Sequence, residues 1–380
     1  MTTNDQEAIK LHKKLRGKIE IKPKLKIKNL DQLSKAYTPG VAAVCLAIKK
    51  DKRKSWELTN RANQVAIVSD GTAILGLGNI GPEAGMPVME GKSLIFKEFA
   101  NIDAIPLCIN TTDVEEIIKF CKYIEPSFAG INLEDISAPR CFEILDRLEK
   151  ELNIAIFHDD QDGTAIVVLA ALINACRVTG KVFKDLKIVI NGAGAAGIAV
   201  ARLLASEKPD DLILLDRIGA IYKGRAEMNY YKNQIAEFTN KNKIKGRLEE
   251  TLKDADVFIG LSQGNLLNEK LIKLMSPDPI IFAMANPVPE IVPEKAYRAG
   301  ASLVGTGSSS YPNQINNALV FPGIFRGLLD SGKKIVTKEV KIATALAIAY
   351  SIKPTKDKIL PSILDKNVVK KIAKAVEKRK

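Results

Sequence analysis

A chain of 380 residues, 46% apolar and 27% charged, is long enough for two cores and has the balance of an ordinary globular protein, which excludes extended disorder. Its longest apolar runs are about nine residues, AIVVLAALI (165–173) among them, too short to span a bilayer. The net charge of +13 is spread along the chain and gathered in its polar ends, with no aromatic-interleaved basic motif. Nucleic-acid binding is therefore not expected, and steering of an anionic substrate explains the charge as well.

The first thirty residues read as a charged, helical lead-in without an apolar core or a small-residue cleavage site. No signal peptide is expected, and the expected compartment is the cytoplasm. VAIVSDG (65–71) is a short strand, followed by a glycine-rich loop over 76–91 and a helix from Lys92. AIPLCIN, FAGINLED and NIAIFHDD read as further strands, with DVEEIIKFCKYI and APRCFEILDRLEKEL as amphipathic helices between them. A long apolar helix over about 163–178 leads into KIVINGAGAAGIAVARLLAS, and LILLDR, ADVFIGLS, PIIFAMANP and ASLVGTG supply later strands. The segments 338–352 and 365–379 are helical. The expected fold is α/β in two domains: an N-terminal α/β domain (1–157) and a Rossmann-type, doubly wound domain (158–335). Helices over 336–380 are free to pack back on the first domain.

Gly192-Ala193-Gly194-Ala195-Ala196-Gly197 is a GxGxxG placed directly after the strand KIVI and at the start of an alanine-rich helix. Asp216 lies nineteen residues past its last glycine, at a strand end. That context predicts a dinucleotide site: a tight turn, a helix N-terminus for the pyrophosphate and a carboxylate for the ribose. Asp216 favours NAD, while Arg217, Lys223 and Arg225 are available to a 2′-phosphate, so NADP stays open.

Glu134-Asp135 and Asp159-Asp160 each close a predicted strand. In one parallel sheet all four carboxylates emerge at the same edge, where three of them can join the oxygen shell of Mg²⁺ or Mn²⁺. The other reading is two acidic helix starts, at Asp135 and Asp162. With only His12 and His158, and five scattered cysteines without a CxxC pair, neither a zinc site nor a disulfide framework is expected.

The motifs AYTPGVA (36–42), SDGTAILGLGNIGPEAGMPVMEGK (69–92), NLEDI (132–136), HDDQDGTA (158–165), NGAGAAG (191–197), ANPVPE (285–290) and NQINNALVFPG (313–323) resemble the ordered signature of malic enzymes, best the short bacterial type. The resemblance runs from about residue 30 to 330. It implies oxidative decarboxylation of (S)-malate to pyruvate and CO₂, with malate bound by the N-terminal domain, and a homodimer. It places Glu134, Asp135 and Asp160 on the metal ligands, Tyr37 on the general acid, Lys92 on the general base and Asp159 on that lysine's partner. Asn286 and Asn317 fall on substrate-binding positions, and Asn286 also lies near the nicotinamide. Outside these motifs Tyr37 would read as a packing residue and Lys92 as a solvated helix-start lysine.

A base for the C2 hydroxyl, an electron sink for the departing carboxylate and an acid at C3 are the parts such a reaction needs. Burial and a neighbouring cation would lower Lys92 towards the range of a base. Two departures stand out. Thr72-Ala73 replaces the arginine that larger members use on the C1 carboxylate, leaving Asn286, Asn317 and loop amides for that task. Asp162 stands where larger members carry glutamine and many short ones histidine, and it has no family role. Competing readings are a non-decarboxylating dehydrogenase and a non-catalytic nucleotide-sensing or RNA-associated protein.

Overall fold

Four short apolar runs separated by amphipathic helices can bury both faces only as a parallel sheet covered by those helices. The computed structural model describes residues 3–378 and has this arrangement. Strands β1 (Gln64–Ser69), β2 (Asp103–Cys108), β3 (Gly130–Leu133) and β4 (Ala155–His158) form one parallel sheet in the spatial order β2-β1-β3-β4. Strands β5 (Lys187–Asn191), β6 (Asp211–Asp216), β7 (Gly219–Ala220), β8 (Val257–Gly260), β9 (Ile280–Ala283) and β10 (Leu303–Thr306) form the other. Its order is β10-β9-β8-β5-β6-β7, parallel except for β7 against β6. The order reverses at β5, the switch point where a doubly wound sheet binds its nucleotide.

The longer helices, in chain order, are α1 (Thr3–Leu15), α2 (Leu30–Ala36), α3 (Val41–Lys50), α4 (Pro82–Ala100), α5 (Val114–Ile124) and α6 (Arg140–Glu151). They continue with α7 (Thr164–Thr179), α8 (Ala195–Ser206), α9 (Phe321–Ser331), α10 (Lys338–Ala349) and α11 (Lys366–Lys378). Residues 1, 2, 379 and 380 lie outside the described residues, and so do the first two residues of the predicted lead-in and the end of the predicted C-terminal helix.

Two sequence expectations change. The lead-in is helical only as far as Leu15, and residues 18–29 have no regular secondary structure. The predicted glycine-rich loop over 76–91 ends at Gly81, and α4 starts ten residues before Lys92. The reason is local. Gly81 turns the chain at φ +84°, Pro82 supplies a preset first helical residue, and the apolar spacing Met89, Phe96, Ala100 runs on behind. Lys92 shares that buried face.

Eleven residues of α7 are buried, which explains an all-round apolar sequence. With its preceding turn it makes a stretch, Asp159–Thr179, long and apolar enough to cross a membrane, but 72% of its most apolar part is buried inside the protein. α7 packs against α8 and α10, so it is a core element shared by the nucleotide domain and the C-terminal helices. α9 returns to the first sheet: Phe325 meets Phe96 and Phe157 at ring-centroid distances of 5.3 and 5.8 Å. Asn174, fully buried on α7, donates to the carbonyls of Ala349 (2.9 Å) and Ile359 (2.7 Å) and so ties α7 to the C-terminal segment. Asn174→Ala strands those buried acceptors, and chemical denaturation is expected to show a loss of about 2 kcal/mol.

Candidate active site

Strand register decides where the acidic pairs lie. Leu133 pairs with His158 across β3 and β4, so the residues that follow each leave the sheet at the same level. Glu134 and Asp135 are therefore neighbours of Asp159 and Asp160. A carboxylate oxygen from each of Glu134, Asp135 and Asp160 lies within 4.8 Å of the others. Asp135 sits at φ +53°, an uncommon conformation for a residue with a side chain, and its N–H donates to Asp160 Oδ2 at 2.8 Å. Asp159–Gly163 forms a single π-helical turn before α7, the kind of local widening that re-aims side chains at functional sites.

The group that answers this negative charge is Lys92. Its side chain is 8% exposed, with Nζ 2.5 Å from Glu134 Oε2 and paired with Asp159, whose side chain is fully buried. The Phe321 ring covers Nζ at 4.6 Å from the centroid. Gly163 is required here, because a Cβ would lie 1.9 Å from Asp159 Oδ1 and 3.3 Å from the side chain of Asn317. Asn317 is thereby placed beside the acidic turn.

Electrostatics follow from burial and crowding. Burial, and then the nearby Asp160 and Glu134 charges, push Asp135 up to about 9. Burial raises Glu134, Asp159 and Asp160, with Lys92 acting in the opposite sense on each. For Lys92 burial lowers the pKa, but Asp159, Glu134 and Asp160 together outweigh it and the net direction is up. Burial alone therefore does not carry Lys92 towards the range of a base while these carboxylates face it. The lysine is the counter-ion of the cluster as long as Glu134 and Asp159 both face it. His158 is fully buried and pushed down to about 4 by that burial, so it is neutral.

Asp162 turns away from this cluster. It pairs with Lys341 of α10 at 2.5 Å, so the third carboxylate of the acidic run is matched by a lysine 179 residues further along.

Three groups not singled out from the sequence complete the cradle. Asp70 is buried and pairs with Arg140 of α6 at 2.8 Å. Arg140 also donates to Thr72 Oγ1 and Ser137 Oγ, and Ala73 N–H donates to the Asp135 carbonyl. A guanidinium from another element thus stands beside Thr72-Ala73, although Asp70 occupies it. Glu290, fully buried, accepts from Ala285 N–H and pins the ANPVPE turn. Asn286 in that turn is exposed, and its carbonyl meets the glycine loop of the first domain, 2.4 Å from where a Gly76 Cβ would stand. Asp70 in SDG was the one legible signal; the others depend on distant partners.

Tyr37 is not drawn into the cluster. It caps α2 with its side chain 67% exposed, and among the described residues its hydroxyl makes no hydrogen bond.

The nucleotide turn has the shape its glycines require. Gly192 adopts φ +125°, a Cβ on Gly194 would meet nothing within 4 Å, and a Cβ on Gly197 would collide with Gly192 O at 1.6 Å. The first N–H groups of α8 are therefore open to an anion over Gly194, with Ala193, Ala195 and Ala196 adding little bulk. Asp216 is more engaged than a simple ribose acceptor. Arg225 and Lys232 bind it at 2.5 and 2.6 Å, and Ile218 N–H donates to it at 3.0 Å. Burial works to raise its pKa, but these donors hold it well below the usual carboxylate range. Gly197→Ala is expected to force the turn apart and weaken nucleotide binding at least about tenfold, read from the change in NADH's own emission on binding.

Two family patterns match the chain: the malic enzyme N-terminal domain over residues 16–149 and the malic enzyme NAD-binding domain over 161–380. The chain is 52% identical over 377 residues to the bifunctional malic/malolactic enzyme of Bacillus subtilis, covering 98% of this chain and 92% of that one. It is 52% identical over 365 residues to the NAD-dependent malic enzyme of Geobacillus stearothermophilus, covering 95% and 76%. The crystal structure of the NAD-dependent malic enzyme from Thermotoga maritima superposes with a TM-score of 0.95 at 47% identity, over 98% of this chain and 99% of that one. With its acidic strand ends, its buried lysine and its dinucleotide turn in this order, the chain belongs to the malic enzyme family.

Proposed function

We propose that this protein oxidises and decarboxylates (S)-malate to pyruvate and CO₂ with reduction of NAD or NADP. The observation that carries the reading is the buried Lys92, held by Asp159 and Glu134 at the sheet edge where Glu134, Asp135 and Asp160 converge.

Three mutually repelling, desolvated carboxylates suit a divalent cation, and Asp135 Oδ2 is a buried oxygen without a hydrogen-bond partner among the described residues. Glu134, Asp135 and Asp160 would hold Mg²⁺ or Mn²⁺, which when bound polarises the C2 oxygen and draws off charge as the C4 carboxylate departs. Gly192 to Gly197, together with Asn286, would hold a nicotinamide nucleotide, which would supply the hydride acceptor for C2.

Lys92 is the general base for the C2 hydroxyl proton. Glu134 belongs both to the carboxylate triad and to the lysine's ion pair, so engaging Glu134 elsewhere leaves Asp159 as the lysine's orienting partner and removes one of the charges that raise its pKa. The Phe321 ring keeps water from one side of Nζ. The family resemblance makes Tyr37 the proton donor to C3, a role that its exposed place on the N-terminal arm does not by itself supply. Asn286 and Asn317 receive the substrate carboxylates, and Arg140 is a positioning residue that holds Asp70, Thr72 and Ser137 in place. The charge on Asp216 is already matched by Arg225 and Lys232, and Arg217 is exposed beside it, so a 2′-phosphate meets no uncompensated carboxylate. That supports the use of either nucleotide. Five free cysteines are consistent with a reducing, cytoplasmic compartment.

The N-terminal arm supports a homodimer. Ile21, Leu30, Tyr37 and Leu46 are 94%, 81%, 67% and 64% exposed, a density of bare apolar side chains that a second copy would cover.

Three measurements test these readings. Malate with NAD or NADP and Mn²⁺ is expected to yield reduced nucleotide and pyruvate in equal amounts, with EDTA abolishing both. Lys92→Ala is expected to lower turnover about 10²–10⁴-fold; pyruvate formation that persists with EDTA, or at an undiminished rate in Lys92→Ala, contradicts the assignment. Light scattering is expected to give twice the chain mass, and Leu30→Glu to shift it towards a single chain.

A further inference from the structure

A second cavity, of about 370 Å³, opens at the amino ends of β3 and β4, the edge opposite the carboxylates. Four-residue strands rising about 3.3 Å per residue separate the two edges by about 13 Å, so the cavity is not a lobe of the active site. Its floor is apolar: Ala129, Ile154, Ala155 and Leu328, all buried.

Its wall and rim are cationic. Arg61 is half-buried, with its guanidinium 4.7 Å from the centre of the Trp56 ring. Its N–H groups reach neutral acceptors: the carbonyls of Phe128 and Glu125 and the Ser55 hydroxyl. Lys334 is exposed at the mouth, and its Nζ meets Asn153 Oδ1 at 3.4 Å. Among the described residues neither cation has a carboxylate in an ion pair. The nearby acid, Glu125, acts on Arg61 through space but makes no ion pair with it, its Oε1 accepting instead from Asn153 N–H at 2.8 Å. A partly desolvated guanidinium satisfied only by neutral groups keeps its charge available, and a carboxylate is the partner that would make the strongest bonds to it.

We propose that this cavity is a second ligand site, taking a small organic carboxylate with an apolar body. The carboxylate lies between Arg61 and Lys334, and the body rests on Ile154, Ala155 and Leu328. The volume falls at the small end of the usual range for ligand sites, roughly 300–1,000 Å³, and so suits a metabolite-sized anion and not a nucleotide.

Trp56 is the only tryptophan in the chain, so its emission reports on this cavity alone. Hexanoate is the probe, titrated into the full-length protein at constant ionic strength, with hexanamide and inorganic phosphate as comparisons. Hexanoate is expected to change the emission saturably, with at least about tenfold weaker responses to the neutral amide and to the bare anion. Lys334→Gln, an exposed change with little effect on folding, is expected to weaken hexanoate binding severalfold, and Arg61→Lys to weaken it further. Saturating malate and NAD leave the titration unaltered. A non-saturating response, equal affinity for the amide or for phosphate, unchanged affinity in Lys334→Gln, or displacement by malate or NAD each overturns the proposal.

Discussion

One ammonium group among buried carboxylates organises this molecule. Like charges at the carboxyl end of a sheet repel one another and resist leaving water, and burial here raises all four members of the cluster. The fold tolerates them because α4 turns Lys92 into its own buried face, where an apolar side chain would ordinarily stand, and Phe321 closes over it. Removing that lysine would leave charges uncompensated in the interior, which is costlier than never having had the pair. The same arrangement is what a proton-transferring site needs: a titratable group with opposed influences on its pKa, held in one orientation.

The two sheets divide the work around this cluster. The four-stranded sheet sets the level of the acidic pairs by its register, since Leu133 stands opposite His158. The six-stranded sheet sets the nucleotide turn at its switch point, β5. The π-helical turn at 159–163 and α7 join them, so a single continuous segment carries a proposed metal ligand, the lysine's partner and the link between the sheets. α9 and the Asn317 segment then return from the nucleotide sheet to the first, bringing Phe321 over Lys92 and Asn317 beside Gly163. The active site is thus built where the chain crosses twice between its two halves.

The acidic run at 158–162 shows how unequal neighbours in sequence can become. Asp159 and Asp160 face Lys92 and the other strand end. Asp162 faces the opposite way, onto Lys341. A half-turn of widened helix is enough to send the first two carboxylates to the cluster and the third to a structural ion pair. The pair with Lys341 also couples the C-terminal helices to the turn, as Asn174 does through backbone carbonyls.

Local pattern was enough for the parts whose physics is local. Apolar runs with helical spacing between them determine a parallel α/β fold. A GxGxxG between strand and helix determines a tight turn, because a Cβ at Gly197 would overlap the preceding backbone. Acidic pairs at two strand ends follow once both strands share a sheet. The start of α4 was misread because its first two turns are rich in glycine and proline, which look like a loop until tertiary packing rewards the helix. Arg140 beside Thr72, Lys341 on Asp162, Arg225 and Lys232 on Asp216, and the cationic cavity behind the sheet lay beyond the sequence. Each brings together groups from different elements, and no residue's neighbours in the chain specify which distant partner will arrive. The acidic strand ends determined that negative charge would need an answer, and the family resemblance pointed to Lys92; only the tertiary structure decided that its ammonium also meets Glu134 inside the core, because only packing could carry it there.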